Sequence, residues 1–449
     1  MIIPKRVNQI IKRLNTKGYK AYVVGGCVRD SLMGIEPDDW DITTSATPEQ
    51  IKETLMGMKG CKIDSHGKGE QFGTVVANFE GVEYEITTYR CDGTYTDGRK
   101  PDSVSFCKNI VEDLARRDFT VNAMAYNHKE GVIDPYGGQE DLRLKVIRCV
   151  GNAEKRFEED RLRVLRAVRF AVKYNFKIEE STLDAINKKK DSIIGKVSYE
   201  RIQKELLQIV MYMSERNLEY AKVGLFVAIP ELRDCEGFSQ HNPYHKYDVL
   251  GHILASTVSA KSDYTVKMAV LLHDIAKPKT FTMGEDGIGH FYGHARVSYE
   301  MAIEILRRLR FKREEIECIS NLVLNHDISI KPDKKSIRKM MIRLGEQFDK
   351  LIEVQKSDAR GKADERRDKQ LEEIELMEDV YKNIVAENDY ITRKDLALNG
   401  NDIMEILNIE QSPQIREVLG DCLEVVISDL TLNTKEYLSE YVRTKYKAV

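Results

Sequence analysis

The sequence predicts an α/β head built on a small mixed sheet, followed by an all-α remainder. Two observations lead to that fold class. Short β-rich runs alternate with helical ones over the first 142 residues, and past about residue 142 the strand signal fades into one helical pattern after another. A third observation, the 449-residue length, exceeds a single typical hydrophobic core, so two to four packing units are expected.

Taken in order, MIIPKRVNQIIKRLNTKG (1–18) has basic residues but no continuous apolar core ending in small residues, and reads as an amphipathic helix instead of a signal. KAYVVGG (20–26) is a strand entering a turn, CVRDSLMG (27–34) is helical, DDWDITT (38–44) is extended and TPEQIKETLMGM (47–58) is helical. FGTVVANFE (72–80) and VEYEITTYR (82–90) are strands, and the Gly-containing NFEGV (78–82) between them predicts an antiparallel hairpin. RCDGTYTDGRKPDSVSF (90–106) is polar, Gly-containing and loop-like. Helices are then expected over RFEEDRLRVLRAVRFAV (156–172), YERIQKELLQIVMYM (199–213), TVKMAVLLHDIA (265–276), ARVSYEMAIEILRRL (295–309) and REEIECISNLVL (313–324). The highly charged stretch 359–388 suits an exposed helix or a connector. No internal repeat or low-complexity tract interrupts this pattern.

Hydrophobic residues make up 42% and charged residues 32%, as in a soluble protein, and no apolar run approaches the roughly 18 to 20 residues of a membrane span. The cytoplasm is the expected compartment. Eight cysteines lie scattered without a C-x-x-C pair, which argues for reduced thiols. A net charge of −3 announces no global affinity for nucleic acid, so an RNA surface has to be local. Between Arg143 and Arg169 nine basic residues face four acids, although such a run is also what a solvated helix face looks like.

Chemistry concentrates in VGGCVRDSLMGIEPDDWDIT (24–43). Gly25 and Gly26 lie between a strand and a helical stretch, where backbone can approach a phosphate at the helix N-terminus and Arg29 adds charge. Alone, a Gly-Gly pair is ordinary turn chemistry. Asp39 and Asp41, two apart in an extended segment, project from one face and offer the oxygen-only ligands that suit Mg²⁺. Glu85 is the candidate third carboxylate, with Glu83 on the same face as its competitor.

These residues resemble the DNA polymerase beta-like nucleotidyltransferase superfamily, whose GG, spacer and D-x-D stand here as Gly25, Gly26, Asp39 and Asp41. RRDFTVNAMAY (116–126), DPYGGQEDL (134–142), EEDRLRVLRAVRF (158–170) and SYERIQKEL (198–206) follow in the order of the bacterial class II tRNA nucleotidyltransferases. The resemblance implies a nucleotidyltransferase head (1–142), a helical neck for nucleotide selection and RNA binding (143–235), an HD-type body (236–360) and a tRNA-binding tail (361–449). It further implies two-metal addition of C, C and A to a tRNA 3′ end from CTP and ATP, without a template. Arg117 and Asp118 resemble the positions that contact triphosphate and ribose.

For base choice, Asp160 and Arg163 are three apart and expected on one helix face, an acceptor beside a donor fork. Cytosine and adenine present an amine to Asp160 and acceptors to Arg163, whereas uracil and guanine would set a carbonyl against the carboxylate, at a cost of roughly 1–3 kcal/mol. Arg166 and Arg169 continue the stripe and would meet phosphates or stack on the base. The 90–106 segment resembles the flexible loop of enzymes adding both C and A, and the residues before the helix lack the basic element of bacterial poly(A) polymerases. Poly(A) polymerase and a CC-only enzyme are the alternatives.

Seven of nine histidines fall between 241 and 326, in QHNPYHKYDVLGHIL, LLHDIAKPKT, HFYGHARVSYEMA and VLNHD. That order resembles the HD phosphohydrolase superfamily, with His252, His273, Asp274 and Asp358 at its metal-binding positions. His294 and His326 would orient phosphate or complete a second site. The resemblance implies a divalent metal whose identity the residues leave open, and a hydrolase with a vestigial head is the third alternative. LALNGNDIMEIL (396–407) resembles the tail of the same tRNA enzymes, but SPQIREVL (412–419) departs from the Gly-Pro pattern of many of them.

Overall fold

The computed structural model describes residues 1–63, 72–93, 103–241, 246–261, 263–285, 287–391 and 393–446. The chain forms two compact units, Met1–Pro230 and Glu231–Val449.

In the first unit, a seven-stranded sheet runs in the order β3-β4-β5-β2-β1-β8-β9, from β1 (Ala21–Val24), β2 (Ile42–Thr44), β3 (Cys61–Ile63), β4 (Thr74–Phe79), β5 (Val82–Thr88), β8 (Ala125–Asn127) and β9 (Gly131–Ile133). Of these pairings only β2–β5 is parallel, with Ile42 opposite Ile86. β1 reads AYVV and is buried on both faces, as a central strand's continuous apolar run requires. Helices α1 (Lys5–Thr16) and α3 (Pro48–Met56) cover one face, closing a core of Ile10, Leu14, Ile51 and Leu55 over Val23, Ile42 and Ile86. Tyr22 and Val24 point to the other face, toward Tyr89, Leu114 and Ala125. Thr47 and Gln50 form a reciprocal capping box that starts α3. The β4–β5 hairpin turns at Glu80 and Gly81, both at positive φ (57° and 92°), as a two-residue loop between antiparallel strands demands.

The 90–106 segment differs from a simple loop. Its ends pair as β6 (Arg90–Asp92) and β7 (Val104–Phe106), and residues 94–102 lie outside the described residues. The first 142 residues also carry α2 (Gly26–Leu32) between β1 and β2, α4 (Ile110–Ala115) ahead of β8, and the start of α5 (Gly138–Leu144). The unit continues through α6 (Ala153–Glu159), α7 (Leu162–Tyr174), α8 (Glu180–Lys189), α9 (Tyr199–Tyr212) and α10 (Leu218–Ala228). The expected all-α character past residue 142 is interrupted by two short ladders, β10 (Val146–Ile147) with β11 (Lys177–Ile178), and β12 (Thr282–Met283) with β13 (Gly289–His290).

The second unit carries α11 (Val249–Ser259), α12 (Tyr264–Leu272), α13 (Lys277–Thr280), α14 (His294–Arg308), α15 (Arg313–Asn325), α16 (Lys334–Leu344) and α17 (Phe348–Arg360). Of these, α11, α12, α15 and α17 pack on one another. The charged stretch becomes the 23-residue α18 (Asp364–Ala386), which buries a line through Ile374, Met377 and Ile384. A separate core of Ile403, Val418, Cys422, Leu438 and Val442 joins α19 (Gly400–Leu407), α20 (Pro413–Ser428) and α21 (Lys435–Tyr446). Among the described residues, no helix is long and apolar enough to cross a membrane.

Candidate functional site

Asp39 and Asp41 leave the segment immediately before β2 and do not sit within a strand. The parallel β2–β5 register sets Glu85, one residue before Ile86, beside Asp41, one residue before Ile42. Glu83 lies two residues back along β5, opposite Asn78 of β4. Burial pushes the Asp41 carboxyl up to about 6, with Asp39 and Glu85 adding to the rise and Arg117 opposing it. The three carboxylates therefore share one electrostatic neighbourhood. Among the described residues, they do not form one of the groups whose ligand atoms all lie within 4.8 Å of one another.

Gly25 adopts φ 81°, and a Cβ there would sit 2.7 Å from Arg117 Nη1. Only glycine satisfies both the backbone and the guanidinium. Arg117 Nε is buried with no hydrogen-bond partner. Gly26 follows as the first residue of α2. Arg29 departs from the expectation of a charge open to phosphate: it is 6% exposed, bonded to both Asp30 oxygens and to Asn122 Oδ1, and lies 4.9 Å from the ring centre of Tyr174 and 5.1 Å from that of Phe170. Those contacts tie α2 to α7, and the cation is spent on them.

A cleft of about 260 Å³ is lined by Arg116, Arg117, Asp118, Asp160, Leu162, Arg163, Arg166 and Arg201. The expected single helix through Asp160 is broken there: Asp160 is extended (φ −140°, ψ 107°) between α6 and α7. Its Oδ1 accepts from Leu162 N at 3.0 Å, because a short carboxylate competes with the helix by capping free N–H groups. Its Oδ2 accepts from Arg201 Nη2 at 2.7 Å. Arg163 is held by Glu159 and by the carbonyls of Arg156 and Arg116. The two residues are thus not neighbours on a helix face, yet both line the same cleft.

Asp118 Oδ1 accepts from Phe119 N and Asn122 Nδ2, and its Oδ2 accepts two bonds from Arg166, at 2.8 and 2.6 Å. Burial alone would raise its pKa, but Arg166 and the Asn122 bond hold it well below the usual carboxylate range. Arg169 does not continue the stripe into the cleft. It pairs with Glu205 at 2.5 Å and stacks 4.0 Å from the Phe170 ring centre. Sequence reasoning passed over Arg116 and Arg201, although RRDFTVNAMAY and SYERIQKEL contain them.

In the second unit, the predicted ligands His252, His273, Asp274 and Asp358 bring one ligand atom each within 4.8 Å of the others, and Asp274, His294 and His326 form a second such set. Asp274 belongs to both. All four imidazoles direct Nδ1 at a backbone carbonyl: His252 at Gly361 (3.1 Å), His273 at Val270 (2.6 Å), His294 at Phe291 (2.9 Å) and His326 at Val323 (2.7 Å). A carbonyl only accepts, so each Nδ1 carries the proton, and in the neutral ring Nε2 presents a lone pair to the cluster. Gly361 has no room for a side chain, since a Cβ would lie 2.1 Å from Ser256 Oγ and 2.9 Å from His252 Nδ1. Burial would lower the His273 pKa, but Asp274 and Asp358 push it up to about 9. Lys277 reaches Asp274 at 2.7 Å and Lys362 reaches Asp358 at 2.6 Å. Lys362, four residues after Asp358 in KSDARGK, carried a helical-spacing signal that sequence reading missed.

Residues 21–148 match the family described as the poly A polymerase head domain, 175–234 the probable RNA and SrmB-binding site of polymerase A, and 280–442 the putative tRNA nucleotidyltransferase domain 2. The chain is 43% identical over 225 residues to the CCA-adding enzyme of Lactobacillus delbrueckii subsp. bulgaricus, an alignment covering 50% of this chain and 55% of that relative. In this and similar alignments the chain spans about half the length of the curated relatives it matches. Against the CCA-adding enzyme of Geobacillus sp. (strain WCH70) it is 30% identical over 437 residues, 96% of this chain and 95% of the relative. A crystal structure of the Bacillus stearothermophilus CCA-adding enzyme in complex with CTP superposes with a TM-score of 0.71 at 27% identity, covering 100% of both chains.

Proposed function

The chain belongs to the family of CCA-adding enzymes, and on that premise we propose that it adds C, C and A to the 3′ end of tRNA from CTP and ATP, in the cytoplasm and without a template. The observation that carries this reading is the β2–β5 register, which sets Glu85 beside Asp41, with Asp39 close by and Arg117 between that acid group and the Gly25 turn. The donor set fits Mg²⁺, being all carboxylate oxygen, with Asp41 raised by burial and further by its acidic neighbours. Asp39, Asp41 and Glu85 would hold two ions, which when bound neutralise the triphosphate and lower the pKa of the attacking 3′-hydroxyl.

The remaining work falls to the chain's own groups. The Gly25–Gly26 turn lets backbone approach the triphosphate, and the unpartnered Nε of Arg117 supplies a donor beside it. Asp118 has four N–H donors on its carboxylate and holds Arg166 at the cleft wall, which makes that pair the ribose edge of the site. Asp160 keeps a free lone pair on each oxygen for a base amine, and Arg163 retains two of its five N–H donors for the base acceptors. Residues 1–142 would act as head, 143–235 as neck, 236–360 as HD body and 361–449 as tRNA-holding tail.

Incubation of purified protein with tRNA lacking its last three nucleotides, and with each NTP separately and together, tests this. Completion to CCA is expected, and Asp41→Asn should lower incorporation by at least about 100-fold while His273→Ala spares it. Arrest at CC, or long A tails, would favour the CC-only or poly(A) readings.

A second reading rests on the four anchored imidazoles. His252, His273, Asp274 and Asp358 would hold a divalent ion, with Asp274 shared toward His294 and His326. Such an ion, when bound, activates water for phosphoester cleavage. Phosphate release from RNA ends that needs an added divalent metal and fails in His273→Ala is the expected result. Release that persists in the variant removes the site from the reaction.

A further inference from the structure

Cys91, Cys107 and Glu112 bring their ligand atoms within 4.8 Å of one another, remote in kind from both sites above, which offer only oxygen and nitrogen. Cys91 lies on β6 opposite Ser105 of β7, and Cys107 N bonds to Tyr89 O at 3.0 Å, which continues the ladder. Cys91 and Cys107 are therefore diagonal neighbours on one face of the hairpin. Glu112, in the first turn of α4, accepts from Cys91 Sγ at 3.5 Å.

Diagonal cross-strand residues stand about 7–8 Å apart at Cα, beyond the reach of an unstrained disulfide. Two sulfurs on one tetrahedral ion with bonds of about 2.3 Å need instead to lie about 3.8 Å apart, which the cluster allows. We propose that Cys91, Cys107 and Glu112 form a binding site for a borderline-soft divalent cation, Zn²⁺ by ligand type, with water as fourth ligand. Two thiolates exclude Mg²⁺ as the preferred occupant. On binding, each thiol gives its proton to solvent, so one Zn²⁺ displaces two protons and no oxidant is required. The ion would fasten the root of the β6–β7 hairpin to α4, whose Asp113 accepts from Thr43 Oγ1 on β2 at 3.1 Å. Occupancy would thereby brace the strand that follows Asp41.

The test uses the full chain, reduced with a phosphine and stripped by chelator, titrated with Co²⁺. A thiolate-to-cobalt charge-transfer band should appear, saturate as Co²⁺ is raised and vanish on adding Zn²⁺. The carboxylate and histidine sites are silent in that band. Cys91→Ser and Cys107→Ser should each abolish it. Glu112→Gln, a surface change that leaves folding intact, should keep the band but weaken binding by about 10-fold or more. Absence of the band in the wild type, its survival in the serine variants, or loss of two thiols to air in the stripped protein unslowed by Zn²⁺ would each overturn the site.

Discussion

Asp160 accepts its ion pair from Arg201, 41 residues further along the chain, and not from Arg163, three residues away. Base choice is therefore expected to depend on α9. Arg201→Ala should leave Asp160 free to turn, raising misincorporation of U and G relative to C and A by roughly 10-fold while total turnover falls less, because discrimination of about 1–3 kcal/mol rests on that acceptor's position. Comparing kcat/KM for each of the four NTPs checks it. An equal loss for all four would assign Arg201 to stability alone.

Gly25→Ala should damage the transferase without unfolding the unit. The backbone at φ 81°, ψ −127° lies outside the left-handed helical region and costs an L-residue about 1–3 kcal/mol, and the new Cβ drives against Arg117 Nη1 at 2.7 Å. Urea denaturation should register that modest loss, whereas incorporation falls by about 10-fold or more as Arg117 is displaced from Asp41. Full activity in the variant would show that the guanidinium can move away freely.

The Asp118–Arg166 pair makes acid stability predictable in sign. The folded-state pKa of Asp118 is depressed, so the unfolded chain binds more protons between that value and the ordinary carboxylate value of about 3.9. The pair's stabilisation is then whole above about pH 4 and drains away as pH falls toward the depressed value. Asp118→Asn should cost about 2 kcal/mol at pH 6, and the gap to wild type should narrow as the pH is lowered below 4 in equilibrium unfolding.

Divalent metal should stabilise the second unit through the histidine cluster. At about 100-fold excess over Kd, binding contributes about 2.7 kcal/mol, which moves the melting of a unit of this size by roughly 5–10 °C. Thermal melts of the full chain with Mn²⁺ or Zn²⁺ should display that shift in the second unit's transition, and Asp274→Asn, which removes the carboxylate common to both ligand sets, should erase it there.

Much of the fold was legible locally. The AYVV run, the Gly-containing NFEGV turn and the helical periodicities of α9, α12 and α14 are properties of adjacent residues, and each element stands close to where its pattern put it. So was the place of Gly25 and Gly26 at a strand-to-helix turn, with Asp39 and Asp41 entering the next strand. The break at Asp160 was not, since a repeating apolar stripe continues on either side and hides a capping aspartate.

Residue order alone, then, determined the head with its acids and the later histidine-rich helices. Tertiary structure alone decided which distant groups meet: Glu85 beside Asp41 through a parallel register, Asp160 with Arg201, Arg29 with Asn122, and His252, His273 and Asp274 with Asp358. The reason is one of range. Secondary structure follows from steric and hydrogen-bonding preferences within a few residues, whereas a charge takes its partner from whatever packing brings within about 4 Å, a choice that no local pattern encodes.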